Sequence, residues 1–224
     1  MRNFLANLFF GGACFVCRGS AHGLVCDACA AELPRLPGAL CPRCALPSPQ
    51  GALCGRCLAE PPDYDATSAA LAYDFPADAL VQALKFRGEL ALAPFLGKLL
   101  FEKIAVNPGI DCVIPVPLSP GRLRKRGYNQ ALEIARHVLP AKLQIDLCVR
   151  ERDARPQMEL PWAERRRNVR GAFTCRRSLD GAKLAVVDDV MTTGATLDEV
   201  ARTLKRAGAA RVVNWVVART LPPA

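Results

Sequence analysis

The sequence predicts an α/β fold, a mostly parallel sheet flanked by helices, with a cysteine-rich module in front of it. Three observations predict this. Apolar strand-like runs alternate with helical patterns from residue 64 onward, and eight of the eleven cysteines fall in four Cys-x-x-Cys pairs within the first 57 residues. A buried-type run, Leu184-Ala185-Val186-Val187, leads into Asp188-Asp189, a Thr/Gly loop and a helix start. With 224 residues and 51% hydrophobic content, the chain can bury one medium α/β domain plus a small module, which excludes disorder as a global description. We expect the module in residues 1–60 and the α/β domain in 61–224, with Pro61-Pro62 at the boundary.

Residues 4–10 are apolar but too few to span a bilayer, and no cleavage-type site precedes Cys14, so they read as a short docking helix. The pairs that follow are Cys14/Cys17, Cys26/Cys29, Cys41/Cys44 and Cys54/Cys57, separated by eight, eleven and nine residues. Each pair can form a tight knuckle that points two sulfurs at one ion. Two knuckles close a tetrahedral four-thiolate site, so eight cysteines supply two structural Zn²⁺ sites with no position open for catalysis. An iron–sulfur cluster uses the same ligands, but this paired spacing is that of zinc ribbons rather than of ferredoxin runs. Sequential pairing of the knuckles is the simplest arrangement, and an interleaved cross-brace satisfies the spacing too. The Gly- and Pro-containing segment has too few large apolar residues to fold alone, so metal should supply most of its folding free energy. Persistent thiolate ligands and the lack of a membrane-length apolar run point to the reducing cytoplasm and to no membrane insertion. Cys112, Cys148 and Cys175 are isolated and read as buried packing residues.

Beyond the boundary, 64–75 alternates as a strand. Pro76 suits the first turn of a helix carrying Leu80, Val81 and Leu84, with Gly88 past its end, and a second helix covers 90–104. Residues 111–117 form a buried strand that stops at Pro115 and Pro117; 131–139 is helical; 144–150 is a strand. The strand 182–187, the helix 195–207 ended by Gly208, and the strand 211–218 complete the alternation. In such a sheet a ligand lies at the C-terminal strand ends, where the Asp-Asp loop and the Pro115 loop both emerge.

The Asp-Asp loop carries the chemistry. Adjacent carboxylates at a strand end can hold two vicinal hydroxyls, directly or through a metal-bound water. The segment Thr192-Thr193-Gly194-Ala195-Thr196 offers N–H groups and hydroxyls to a phosphate at a helix N-terminus. Charge agrees with an anionic ligand: the net +9 is concentrated in residues 120–180, with 15 Lys/Arg against 7 Asp/Glu, whereas 61–119 holds 4 against 7. That sector suits pyrophosphate or nucleic acid, and a solvated arginine face is the ordinary alternative. His22 and His137 are too isolated to nominate as a general base.

The stretch from Leu184 to Thr196 resembles the phosphoribosyl pyrophosphate signature of type I phosphoribosyltransferases. Together with the four cysteine pairs, Leu84-Lys85-Phe86-Arg87-Gly88, the run Arg122-Leu123-Arg124-Lys125-Arg126-Gly127-Tyr128-Asn129-Gln130, and Arg155-Pro156-Gln157 through Gly171-Ala172-Phe173, it is similar to the ComF family of competence-associated, phosphoribosyltransferase-like proteins, in that family's order. The resemblance implies a type I phosphoribosyltransferase-like sheet behind a double zinc ribbon. It gives Asp188 and Asp189 the ribose hydroxyls, places the 5-phosphate on Thr192, Thr193, Gly194, Ala195 and Thr196, and sets the pyrophosphate beside Pro117, Arg126 and Gly127 with Mg²⁺ bridging ligand oxygens. Arg165 and Arg166 fall where such enzymes carry a mobile catalytic lid, although Leu160-Pro161-Trp162 departs from the family's Ser-Arg pair. Two functions follow from the resemblance. One is a phosphoribosyltransferase whose acceptor the sequence does not name. The other is a non-catalytic competence protein that binds single-stranded DNA through Arg122, Arg124, Lys125, Arg126, Arg165, Arg166 and Arg167, with the zinc module as a docking site for a DNA-uptake partner. Aromatic content of only 6% leaves few platforms for stacking bases.

Overall fold

The computed structural model describes residues 12–104, 109–151 and 169–222. The expected docking helix at 4–10 and the arginines Arg165, Arg166 and Arg167 lie outside the described residues. The chain opens with a two-residue hairpin, β1 (Gly12–Ala13) against β2 (Ser20–Ala21), followed by α1 (Asp27–Ala31) and, in the second ribbon, α2 (Gly55–Ala59). Next come β3 (Ala66–Ala72), α3 (Ala77–Phe86), α4 (Leu92–Ile104), β4 (Cys112–Pro115), α5 (Pro120–Arg126) and α6 (Gln130–Ala135). The chain then runs through β5 (Cys148–Arg150), β6 (Phe173–Cys175), β7 (Lys183–Met191), α7 (Ala195–Arg206) and β8 (Arg211–Arg219).

Four of these strands form a parallel sheet in the order β3-β8-β7-β4. Such strands are apolar on both faces, and the period of two sorts their side chains. Val113, Ala185, Val187, Val213, Trp215 and Val217 pack with α3, α4 and α6 through Leu80, Leu84, Leu96, Leu100 and Ile134. Ile114, Leu184, Val186, Val212 and Val216 meet Leu197, Val200 and Leu204 of α7 on the other side. The two ribbons divide between these faces. Cys14, Val25 and Leu33 join the first cluster; Cys41, Cys44 and Cys57 join the second. At the outer edge of β3, the N–H groups of Thr67 and Ala72 donate to the carbonyls of Pro42 (3.2 Å) and Pro34 (2.8 Å), so the ribbon segment covers a sheet edge that would otherwise invite pairing with another chain.

Several expected boundaries shift for local reasons. Strand β7 runs on through Met191, because β8 lies alongside to Arg219 and supplies ladder partners; the aspartates therefore sit inside the strand. The helix expected over 131–139 stops at Ala135, after which His137 and Val138 make tighter i→i−3 bonds. The strand expected over 144–150 splits: Leu143 bridges Val113, a bend follows, and only β5 is extended, paired antiparallel with β6. Helix α5 was not expected, although Pro120 at its first turn and Gly127 at φ 84° past its end bracket it. It has no apolar stripe to announce it. Of the three isolated cysteines only Cys148 is buried; Cys112 and Cys175 are half-exposed. Among the described residues, no helix is long and apolar enough to cross a membrane.

Helices α4 and α6 approach closely at Gly97, where a Cβ would lie 2.6 Å from the His137 Cβ and 3.0 Å from the Ile134 carbonyl oxygen. Gly97→Ala should therefore destabilise the protein by about 1–3 kcal/mol, since overpacking outweighs the ~0.5–1 kcal/mol gained by replacing glycine in a helix. Urea denaturation reads the outcome; an unchanged or raised midpoint would mean that the two helices part freely.

Candidate functional site

The period-two register of β7 turns Asp189 toward the α3 face, where Lys85 occupies the last turn of that helix. The Lys85 Nζ lies 3.0 Å from one carboxylate oxygen of Asp189 and 3.3 Å from the other. Asp189 is 2% exposed, and its carboxylate also accepts the N–H of Val190 at 2.7 Å. The neighbouring Asp188 accepts the N–H of Asp189 at 2.9 Å. Burial, and after it the charge of Asp189, hold the Asp188 carboxyl well above the usual carboxylate range, with Lys85 opposing both. For Lys85 burial works against the ammonium, yet Asp189 and Asp188 more than offset it, and its pKa is raised. The site is thus a half-neutralised acid pair held by one cation.

The basic helix α5 reaches the same place. Its Arg126 stacks over the Phe86 ring at 5.5 Å and donates to Gln130. Burial lowers the Arg126 pKa, against the pull of Asp189, Tyr128 and Asp188. Tyr128 donates its hydroxyl to the Leu84 carbonyl, and Asn129 binds the Val116 carbonyl (3.0 Å) while capping α6 at Ala131 N (3.0 Å). These bonds join the ends of α3 and β4 to the segment from Arg126 to Gln130; Pro117 precedes α5 and Gly127 caps it, and Arg126 lies within electrostatic reach of Asp189 and Asp188. The basic run splits by face: Arg122 and Arg126 are half-buried, while Arg124 and Lys125 are exposed.

Beyond β7 the chain turns through Thr192, Thr193 and Gly194 into α7. Gly194 takes φ 84°, a left-handed conformation, and a Cβ there would meet the Met191 Cε at 2.7 Å and the Tyr64 hydroxyl at 3.1 Å, so glycine is required twice over. The Thr193 hydroxyl accepts the Ala195 N–H at 3.2 Å. Every expected sugar and phosphate residue among the described ones is accordingly gathered at the C-terminal edge of the sheet. Sequence reasoning quoted Lys85 only within a motif and gave it no role. A lysine following the buried Leu84, on a helix that points at a predicted acid pair, was the available signal.

The cysteines form two groups, Cys14, Cys17, Cys26, Cys29 and Cys41, Cys44, Cys54, Cys57, with the sulfurs in each all within 4.8 Å of one another. Pairing is sequential, which settles the alternative that spacing left open. One geometry is used twice: the Cys26 N–H points at the Cys14 Sγ and the Cys54 N–H at the Cys41 Sγ, both at 3.4 Å, and Cys26 and Cys54 each cap a short helix. Burial pushes the Cys14 thiol up, but N–H donors from Cys17, Cys26 and Val16 outweigh it and bring the pKa down to about 6; in the same way Cys41 falls to about 7. Burial and the neighbouring sulfurs push Cys29 up to about 12. Four converging sulfurs that cannot all ionise unaided fit a thiophilic dication in a closed tetrahedral site.

Family comparison agrees with both halves of the chain. Residues 5–58 match a double zinc ribbon domain and residues 124–220 a phosphoribosyl transferase domain. The chain is 34% identical over 223 residues to the DNA utilization protein YhgH of Salmonella typhi and 33% identical to that of Escherichia coli K12, in each case covering 94% of this chain and 98% of the relative. It is 31% identical over 231 residues to Competence protein F of Haemophilus influenzae, with the same shares covered.

Metal analysis of the purified protein should find about two zinc ions per chain, and Cys41→Ser should lose one of them. Iron with visible charge-transfer absorbance, or an intact fold without metal, contradicts this. The acid pair makes a second prediction. Because the folded state holds the Asp188 proton above the unfolded value of about 3.9, stability should fall as pH rises through that value toward the folded one. Asp188→Asn should therefore unfold at a higher temperature than the wild type near pH 7 and show a flatter dependence between pH 4 and 7; a lower melting temperature at pH 7 would refute the assignment.

Proposed function

Because this chain belongs to the ComF family, we propose that it is a phosphoribosyl pyrophosphate-binding, phosphoribosyltransferase-like protein that acts in the cytoplasm in the handling of incoming DNA. The observation that carries the reading is the continuous element β7–loop–α7, which sets an acid pair, Asp189 buried and Asp188 half-buried, beside a left-handed glycine loop at the C-terminal edge of a parallel sheet. In this reading Asp188 and Asp189 accept hydrogen bonds from the two ribose hydroxyls. Hydroxyls can donate to a carboxylate without adding charge, so ligand binding would offset the burial and repulsion that raise the Asp188 pKa. Lys85 holds Asp189 in place and neutralises it meanwhile. The 5-phosphate sits on Thr192, Thr193, Gly194, Ala195 and Thr196, at the start of a twelve-residue helix whose dipole favours an anion. Arg126, with Pro117 and Gly127 beside it, faces the pyrophosphate. Mg²⁺ bound together with the ligand supplies charge neutralisation to the leaving pyrophosphate. The role in DNA handling rests on the names of the relatives.

A second reading, single-stranded DNA binding without turnover, draws support from the split of α5. Arg124 and Lys125 are exposed, unlike the half-buried Arg122 and Arg126. A phosphate backbone crossing there would lie next to the sugar site.

Phosphoribosyl pyrophosphate with Mg²⁺ at about a hundred times its dissociation constant should raise the melting temperature by roughly 5–10 °C, and Asp188→Asn with Asp189→Asn should abolish that shift. Equal shifts in both proteins would place the sugar elsewhere. For the second reading, single-stranded DNA should bind with a steep salt dependence that Arg124→Glu with Lys125→Glu flattens. Salt-insensitive or absent binding at low ionic strength leaves α5 to pyrophosphate alone.

A further inference from the structure

We propose that Arg219 and Arg56 are positioning residues for the phosphate loop, and that through them the second cysteine site sets the shape of that loop. The proposal rests on reading residues 192–196 as the place of the 5-phosphate. Arg219 ends β8 and is 1% exposed. Its Nη1 donates to the carbonyls of Met191 (2.8 Å), Thr192 and Thr220 (2.8 Å), and its Nε donates to the carbonyl of Cys44 (2.9 Å). Arg56 lies in α2, between Cys54 and Cys57, and its Nη2 donates to the Thr193 carbonyl at 3.0 Å. Three consecutive carbonyls, those of Met191, Thr192 and Thr193, are thus drawn back by two guanidinium groups.

In a trans peptide unit the N–H points opposite to the C=O. Holding these carbonyls back therefore turns the N–H groups of Thr192, Thr193 and Gly194 forward, as a phosphate cradle requires. A guanidinium buried this deeply is costly unless its fork is satisfied, and here each of those bonds goes to a backbone carbonyl, so Arg219 tolerates little displacement of any of them. One such carbonyl belongs to Cys44, a metal-ligating residue of the second ribbon, and Arg56 is flanked by two more. Loss of metal from Cys41, Cys44, Cys54 and Cys57 releases the backbone that both arginines depend on, and the loop loses its shape. The first ribbon, which packs on the opposite face of the sheet, has no such bond to the loop among those described.

The test uses the intact zinc-loaded protein and Arg56→Met, which keeps an apolar stem and removes the donors. Ribose 5-phosphate and phosphoribosyl pyrophosphate should each bind about tenfold more weakly, the loss expected for one charge-assisted hydrogen bond, while zinc content and pyrophosphate affinity stay at wild-type values and Arg56→Lys recovers part of the loss. Linkage requires the reciprocal effect. Saturating ribose 5-phosphate should protect one of the two zinc ions of the wild type from a chelator, and should protect it less in Arg56→Met. Equal ribose 5-phosphate affinity in wild type and variant, or protection of neither zinc, overturns the proposal. Wild-type protein that binds neither phosphorylated sugar overturns the reading of the loop itself, a result distinct from a ligand that binds both proteins alike.

Discussion

The pairing of β7 with β8, unbroken in register from Lys183↔Arg211 to Met191↔Arg219, is the constraint on which the rest of the site depends. It carries two carboxylates deep enough that one loses its ordinary acidity. It then delivers the chain to Gly194 at a fixed height above the sheet. Were β8 to end at Trp215, Asp188 and the residues after it would lose their ladder partners, and Arg219 would have no place from which to reach the Met191 carbonyl. Ladder hydrogen bonds, individually modest, here hold the two carboxylates of the site within the sheet.

The acid pair is held in tension. Asp189 is matched by Lys85, whereas among the described residues Asp188 has no ion pair of its own, so burial and the charge of Asp189 oppose its ionisation. Arg202 shows the contrasting, purely structural use of charge: it binds Asp63 at 2.9 Å and Glu199 at 3.1 Å, which fastens the segment after Pro62 to α7 and raises its own pKa through the Asp63 hydrogen bond first. Its part-exposed arm to Asp63 fixes geometry without adding much stability.

Much of this was legible in the sequence. The parallel sheet followed from alternating apolar runs, the metal sites from cysteine spacing, and the acid-and-glycine element from its residues alone, because each depends on local chemistry with a short repeat. What stayed hidden depends on tertiary distance. The pairing of Lys85 with Asp189 spans 104 residues, and the bond from Arg219 to Cys44 spans 175. No periodicity encodes either. Helix α5 was missed for the opposite reason: seven residues with four basic side chains offer no apolar stripe, and only its terminal proline and glycine give it away. The division of the ribbons between the two sheet faces was likewise unreadable, since the cysteines serve as ligands and as core residues at once.

That division also fixes an order of events during synthesis. The first ribbon shares a core with Trp215 and Val217 and the second with Val212 and Val216, all on β8, which is synthesised long after either ribbon. The ribbons are therefore made well before the strand that helps to enclose them. Until β8 is made the ribbon thiols lack that cover, so metal capture competes with oxidation, and long-range contacts of this span close slowly. A chain truncated before β8 leaves the sulfurs without that cover, so the integrity of β8 is reported by the chemistry of the ribbons.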